Sequence, residues 1–151
     1  MISYDDLKRI DFFADLTEEE LKQVQNTCSE ESYHAGGFIF SEDSPADHLY
    51  VLKNGKVSID IKVSGGKYLS VYTVSQFAEP FGWSAVVEPF LFTASARCVV
   101  DSTVFSIDRK MLVELIQRDY RMGFLIMQRV AKIISQRVRE TRLQLIHTFY
   151  G

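Results

Sequence analysis

The side chains able to bind metal or act as nucleophiles are few and scattered. His34, His48 and His147 are the only imidazoles and form no His-x-His pair, so the two or three imidazoles plus a carboxylate that a bound metal ion needs are not grouped. They read as turn, edge and terminal-helix residues. Cys28 and Cys98 form neither a Cys-x-x-Cys pair nor a cluster with histidine, and in a reducing compartment they are packing residues. Gly65-Gly66-Lys67 has the composition of a phosphate loop without the GxxxxGK[ST] spacing, and reads as a turn. No catalytic constellation emerges, so a non-enzymatic protein with no metal is expected. What does concentrate is aromatic: Phe81 and Trp83 flank Gly82, and Phe90, Leu91 and Phe92 follow shortly after.

The elements that must position these residues belong to a chain of 151 residues, 46% hydrophobic and 25% charged. That is the composition of an ordinary globular protein and the length of one domain, taken here as 1–151. No apolar run reaches the ~20 residues that span a bilayer. The first residues, MISYDDLKRIDFF, lack a basic segment followed by an apolar one, so no signal peptide and a cytoplasmic location are expected. Net charge is −3, but residues 1–50 hold twelve acids and three bases whereas 109–142 hold nine bases and three acids. The basic stretch, with Arg129, Lys132, Arg137, Arg139 and Arg142, has no interleaved aromatics and reads as a solvated helix face.

Tyr4, Leu7, Ile10 and Phe13 recur at spacing three, a helical turn or two. Thr17 with Glu20 three residues later is a capping box that opens a short helix ending near Cys28. From about 33 to 107 the texture is short runs of β-branched and aromatic residues broken by turn signals. Those runs are 37–40, 48–52, 56–63, 68–74, 94–99 and 103–107. Asn54-Gly55 and Gly65-Gly66 favour tight turns, so antiparallel hairpins are expected over 48–63 and 56–74. Asp108 caps a helix to about Asp119, and a longer helix runs from about Tyr120 to Ile146, where Gly123 is tolerated at some cost. Met127, Val130, Ile134, Val138, Thr141 and Leu145 form a narrow stripe on it, close to a coiled-coil seam. Either the chain's own barrel or the same helix of a second subunit must cover that stripe. The second is expected, because Arg137 and Arg139 flank it as a solvent-facing rim would.

This order, helix then barrel then two helices, resembles the cyclic-nucleotide-binding domain family. The segment GGFIFSEDSPADHLYVLKNGKVS, from Gly36 onward, is similar to its first half. Phe81-Gly82 followed by a small-residue helix turn, and Val104-Phe105-Ser106-Ile107-Asp108-Arg109 leading into a helix, are similar to its second half. The likeness spans roughly 10–145. It implies a mainly β fold with flanking helices: a jelly-roll barrel with an N-terminal helical segment and two C-terminal helices. It also implies a ribose phosphate held inside the barrel by the amino end of a short helix, an arginine and a glutamate, because a buried phosphodiester must meet a cation and oriented N–H donors.

By that resemblance, Trp83 stands where the glutamate belongs and Phe92, nine residues on, where the arginine belongs. Arg97, an odd number of residues further, points to the opposite face of a continuous strand and reads as a surface residue. Gly82, Ser84 and Ala85 retain backbone donors. Binding of cAMP or cGMP is therefore expected to be weak or absent, and no cofactor is expected. The residues assigned to the site are Phe81, Gly82, Trp83, Ser84, Ala85, Phe92 and Thr93. Two readings of these side chains stay open: they fill the pocket themselves, or they line a site for an apolar small molecule. The alternative to a degenerate site is a cyclic-nucleotide receptor, for cAMP, that binds by a divergent geometry. The expected role is a regulatory sensor or adaptor that acts through a protein partner or a small-molecule effector. Neither membrane nor direct DNA binding is expected, since only five residues follow Ile146.

Overall fold

A computed structural model describes residues Met1–Gly151. Eight strands form two antiparallel four-stranded sheets. The strands are β1 (Cys28–Tyr33), β2 (Phe38–Phe40), β3 (His48–Asn54), β4 (Val57–Lys62), β5 (Tyr68–Val74), β6 (Pro80–Phe81), β7 (Ser95–Cys98) and β8 (Ser102–Asp108). One sheet runs β1-β8-β3-β6 and the other β2-β7-β4-β5. The strands contribute Leu49, Val51, Val57, Ile59, Val74, Ala96, Phe105 and Ile107 to the core, and β3, β4 and β8 are buried on both faces over part of their length. This is the jelly-roll expected.

Two expectations about the strands need correction. The 56–74 hairpin forms, with β4 paired to β5, but 48–63 is no hairpin. The turn at Asn54-Gly55 hands the chain from one sheet to the other, so β3 pairs with β6 and β8 while β4 pairs with β5 and β7. Asn-Gly specifies a tight reversal and does not specify that the two arms bond to each other. The barrel also begins before Tyr33. The α2 helix (Glu18–Gln25) stops short of Cys28, and Cys28–Tyr33 pairs with β8 along its whole length. Its sequence, CSEESY, carries little apolar alternation because it is an edge strand.

The helices are capped as their sequences suggest. In α1 (Tyr4–Lys8) the Ser3 hydroxyl accepts from the Asp6 N–H. In α2 the Thr17 hydroxyl accepts from the Glu20 N–H at 3.2 Å, and the Glu20 carboxylate accepts from the Thr17 N–H at 2.9 Å. Asp108 caps α3 (Arg109–Arg118) and Asp119 caps α4, which runs from Tyr120 to Tyr150, past Ile146. Gly123 is more than tolerated. A Cβ there would lie 2.5 Å from Ile116 Cγ2, so the glycine lets α3 and α4 approach.

The charge asymmetry has a structural meaning that the linear reading missed. Arg129 binds Asp15 through two nitrogens and reaches Asp11, Arg121 pairs with Glu20, and Arg137 pairs with Glu79 and Glu140. Part of the basic helix is therefore an internal counter-charge for acidic segments, rather than a solvated face. Met122, Ile126, Val130 and Ile133 are buried, and α4 packs on the Asp11–Phe13 turn and on α3. Val130, 1% exposed, thus belongs to the chain's own core and not to an outward seam. The outward stripe is Phe124, Met127, Ala131, Ile134, Val138, Thr141 and Leu145, alternating at spacings of three and four, with Ile134 half-buried against the core. Arg137 is likewise no solvent-facing rim, because its guanidinium lies on the Tyr72 ring at 4.0 Å and pairs with Glu79.

Candidate functional site

The region singled out in the sequence begins at β6. Phe81 pairs with Tyr50 across the sheet and is fully buried. Gly82 follows with φ of +74°, a left-handed conformation that glycine adopts without strain. A short 3₁₀ turn over Trp83–Val86 comes next, in which the Ala85 N–H donates to the Gly82 carbonyl at a long 3.4 Å. One of the expected backbone donors is thus engaged within the turn itself.

Phe92 reaches the same place from the other side. Its N–H donates to the Ser44 carbonyl at 3.0 Å, and its carbonyl accepts from the Asp43 N–H at 2.8 Å. The acidic turn after β2 therefore holds the backbone and directs the ring inward. That ring is 4% exposed and stacks on Phe40 with centroids 3.7 Å apart and planes 10° from parallel. Phe40 stacks in turn on Tyr50 and Phe81, and Tyr50 on Phe81 at 5.5 Å. Three of the four rings lie against Gly82: a Cβ there would stand 3.1 Å from Tyr50, 3.2 Å from Phe40 and 3.4 Å from Phe92. Aromatic carbon occupies the space just above the glycine.

What remains open is a cavity of about 40 Å³ lined by Phe40, Ile59, Tyr72, Gly82, Trp83, Ser84, Phe92, Thr93 and Ala94. That is room for a water molecule or so, against the roughly 300–1,000 Å³ of small-molecule sites. Of the residues assigned from sequence, Gly82, Trp83, Ser84, Phe92 and Thr93 line this cavity; Phe81 lies beneath it in the ring stack, and Ala85 is buried in the turn. Phe40, Tyr50 and Tyr72 were not anticipated. Phe40 and Tyr50 were legible as strand residues, but their meeting depends on how the two sheets close.

No cation lines this cavity. Arg97 lies on β7 opposite Ser58 and Phe38, and its Nε donates to Asp60 at 3.2 Å. It is half-buried in an ion pair, not the free surface residue expected, and Asp60 is itself buried. Arg137 touches the outside of the cavity wall through Tyr72 but is committed to Glu79 and Glu140. Burial pushes the Tyr50 and Tyr72 phenols up to about 12, the Arg137 charge lowering Tyr72 only in part, so both stay neutral. The corner is apolar, aromatic and uncharged. His34 lies beside Asp101, His48 opens β3 beside Asp108, and His147 lies near the end of α4. The structure forms no group of three histidine, cysteine or carboxylate side chains able to hold a metal.

Two antiparallel sheets, a short helical turn after Phe81-Gly82 and a capped helix pair after β8 make up a jelly-roll domain with flanking helices. The sequence profile of the cyclic nucleotide-binding domain matches residues 30–119, and the chain belongs to that family. Among solved structures it is similar to a putative cyclic nucleotide-binding protein from Geobacter metallireducens, at 32% identity and a TM-score of 0.79, covering 91% of this chain and 99% of that one. It is 26% identical over 110 residues to a CRP-like cAMP-activated global transcriptional regulator of Mycobacterium tuberculosis, covering 73% of this chain and 47% of that protein. It is 22% identical over 111 residues to the cGMP-dependent protein kinase egl-4 of Caenorhabditis briggsae, covering 73% of this chain and 15% of the kinase. The chain thus spans less than half the length of these two curated relatives. Its family and its relatives support a regulatory sensor role. No helix is long and apolar enough to cross a membrane.

Proposed function

We propose that this chain is a non-enzymatic regulatory module whose phosphate corner is filled by its own side chains, so that cAMP and cGMP bind weakly or not at all. The observation that carries this reading is the Phe92 ring stacked at 3.7 Å on Phe40, above Gly82, where the family resemblance places an arginine. A cyclic nucleotide entering here would displace two aromatic rings and leave its phosphate without a counter-charge, and charge-assisted hydrogen bonds are roughly twice as strong as neutral ones. The 40 Å³ cavity also argues against a bound apolar ligand of ordinary size in this conformation. Phe81, Gly82, Trp83, Ser84, Ala85, Phe92 and Thr93 then act as packing at the position of a ligand site.

In this reading the module passes its signal by contact, as a cytoplasmic homodimer through the outward stripe of α4 and with a protein partner. Isothermal titration calorimetry with cAMP and cGMP tests the filled corner. No heat of binding is expected up to millimolar nucleotide, and micromolar affinity would overturn the reading. Trp83→Glu with Phe92→Arg restores both charged groups. That double variant is expected to melt lower alone, because it buries charge among aromatic rings, and to recover stability when cAMP is added. Absence of any nucleotide-dependent recovery would count against the correspondence of these two positions.

A further inference from the structure

The last turns of α4 and the β4–β5 hairpin wall an open groove of about 1150 Å³. Ile61, Leu69 and Val71 line it from the hairpin, and Leu143, Ile146 and Tyr150 from the helix. The three helical residues recur at spacings of three and four, and Thr141 and Leu145 of the outward stripe line the groove beside them. Leu69, Leu143, Ile146 and Tyr150 are all exposed. Apolar surface gathered in this way marks an interaction site more often than scattered exposed leucines do.

Unpaired positive charge gathers beside this groove: Lys67 precedes β5, and Arg139 and Arg142 line a smaller depression that shares Leu143 and Ile146. None of these three cations takes part in any ion pair of the chain. Of the nearby acids, Asp60 is paired with Arg97 and Glu140 with Arg137, and the Glu42 carboxylate accepts from the Lys62 N–H. Arg121, Arg129 and Arg137 on the same helix are, by contrast, all neutralised within the chain.

We infer that this groove docks an acidic amphipathic helix of a partner protein, its apolar stripe laid between the hairpin and α4 and its carboxylates against Arg139, Arg142 and Lys67. The inference takes the protein partner from the functional reading above and supplies that partner's chemistry. It does not depend on the state of the phosphate corner, whose residues are absent from the groove lining.

The test is fluorescence anisotropy of a labelled synthetic helix of about 18 residues, with leucine on an i, i+3, i+4, i+7 stripe and glutamate on its flanks. Titration with the full chain is expected to show saturable micromolar binding. A twin peptide with lysine for glutamate is expected to bind at least about tenfold more weakly, as is the original peptide at about 0.5 M salt. Arg139→Glu with Arg142→Glu is expected to weaken binding at least about fivefold. Leu69→Asp and, separately, Ile146→Asp are expected to abolish it; both positions are exposed, and unchanged melting temperatures verify folding. Equal affinity for the two peptides, no binding, or binding indifferent to both aspartate variants overturns the inference. It is also overturned if Ile146→Asp turns a dimer into a monomer while the native chain binds no peptide, since a second copy then covers the groove. Co-sedimentation with phosphatidylglycerol vesicles, lost in the same variants and unaccompanied by peptide binding, overturns it in favour of a lipid surface. Nucleotide titrations report on the other site, so failure of either reading is seen separately.

Discussion

At the scale of single residues, Phe92 has the largest consequence. Its backbone is pinned to the acidic turn by two hydrogen bonds and its ring completes a four-ring stack, so it contributes to stability as well as closing the phosphate corner. Phe92→Ala removes a ring from a closely packed interior, and a loss of about 3–5 kcal/mol is expected in urea denaturation. The same variant is expected to gain no affinity for cAMP, because it opens space without supplying a cation. Tight cAMP binding by Phe92→Ala would mean that steric filling alone silences the site.

At the scale of elements, a buried carboxylate joins α2 to α4. Burial of the Glu20 carboxylate raises its pKa, but hydrogen bonds led by the Thr17 N–H, then by the Asp119 carboxyl and by Arg121, outweigh this and hold it at about 2, below the ordinary 4.5. A carboxylate depressed in the folded state stabilises fully above its unfolded value. This contribution is therefore complete above about pH 4.5 and is lost as pH falls towards 2. Glu20→Gln is expected to be less stable than the native chain at pH 7 by about 1.5–3 kcal/mol, the range for a hydrogen bond to a charged group. It is also expected to lose less stability between pH 5 and 2.5, which thermal melts across that interval would show. Parallel pH profiles for the two proteins would assign acid sensitivity elsewhere.

At the scale of the whole molecule, α4 divides its faces between three tasks. Its first half packs on the N-terminal segment and α3, Arg137 ties its middle to β5 and the segment before β6, and an outward stripe from Phe124 to Leu145 covers three heptads. A coiled-coil pairing along that stripe predicts a mass of two chains by light scattering at tens of micromolar. Val138→Glu, at a position 48% exposed in the single chain, is expected to give a folded monomer. A native chain that is already monomeric, or a variant that remains dimeric, would remove the stripe from the proposal.

The sequence alone determined what depends on near neighbours along the chain. The capping box at Thr17 and Glu20, the Asp108 cap, the β4–β5 hairpin and the glycine after Phe81 were legible because each is a short-range preference of backbone and side chain. Aromatic side chains at both positions where the family resemblance calls for charge were legible for the same reason. Only the tertiary structure decided what those aromatics do. Whether Phe92 empties into a pocket or fills one depends on Phe40 and Tyr50, carried by strands of different sheets. Asn54-Gly55 could not reveal which strands its arms would join, and CSEESY could not reveal a strand, because both depend on β8 arriving from far along the chain. Val130 looked like part of a seam because helical periodicity identifies a face without saying what covers it. The compact core claimed that residue, and the exposed face lay one residue further on.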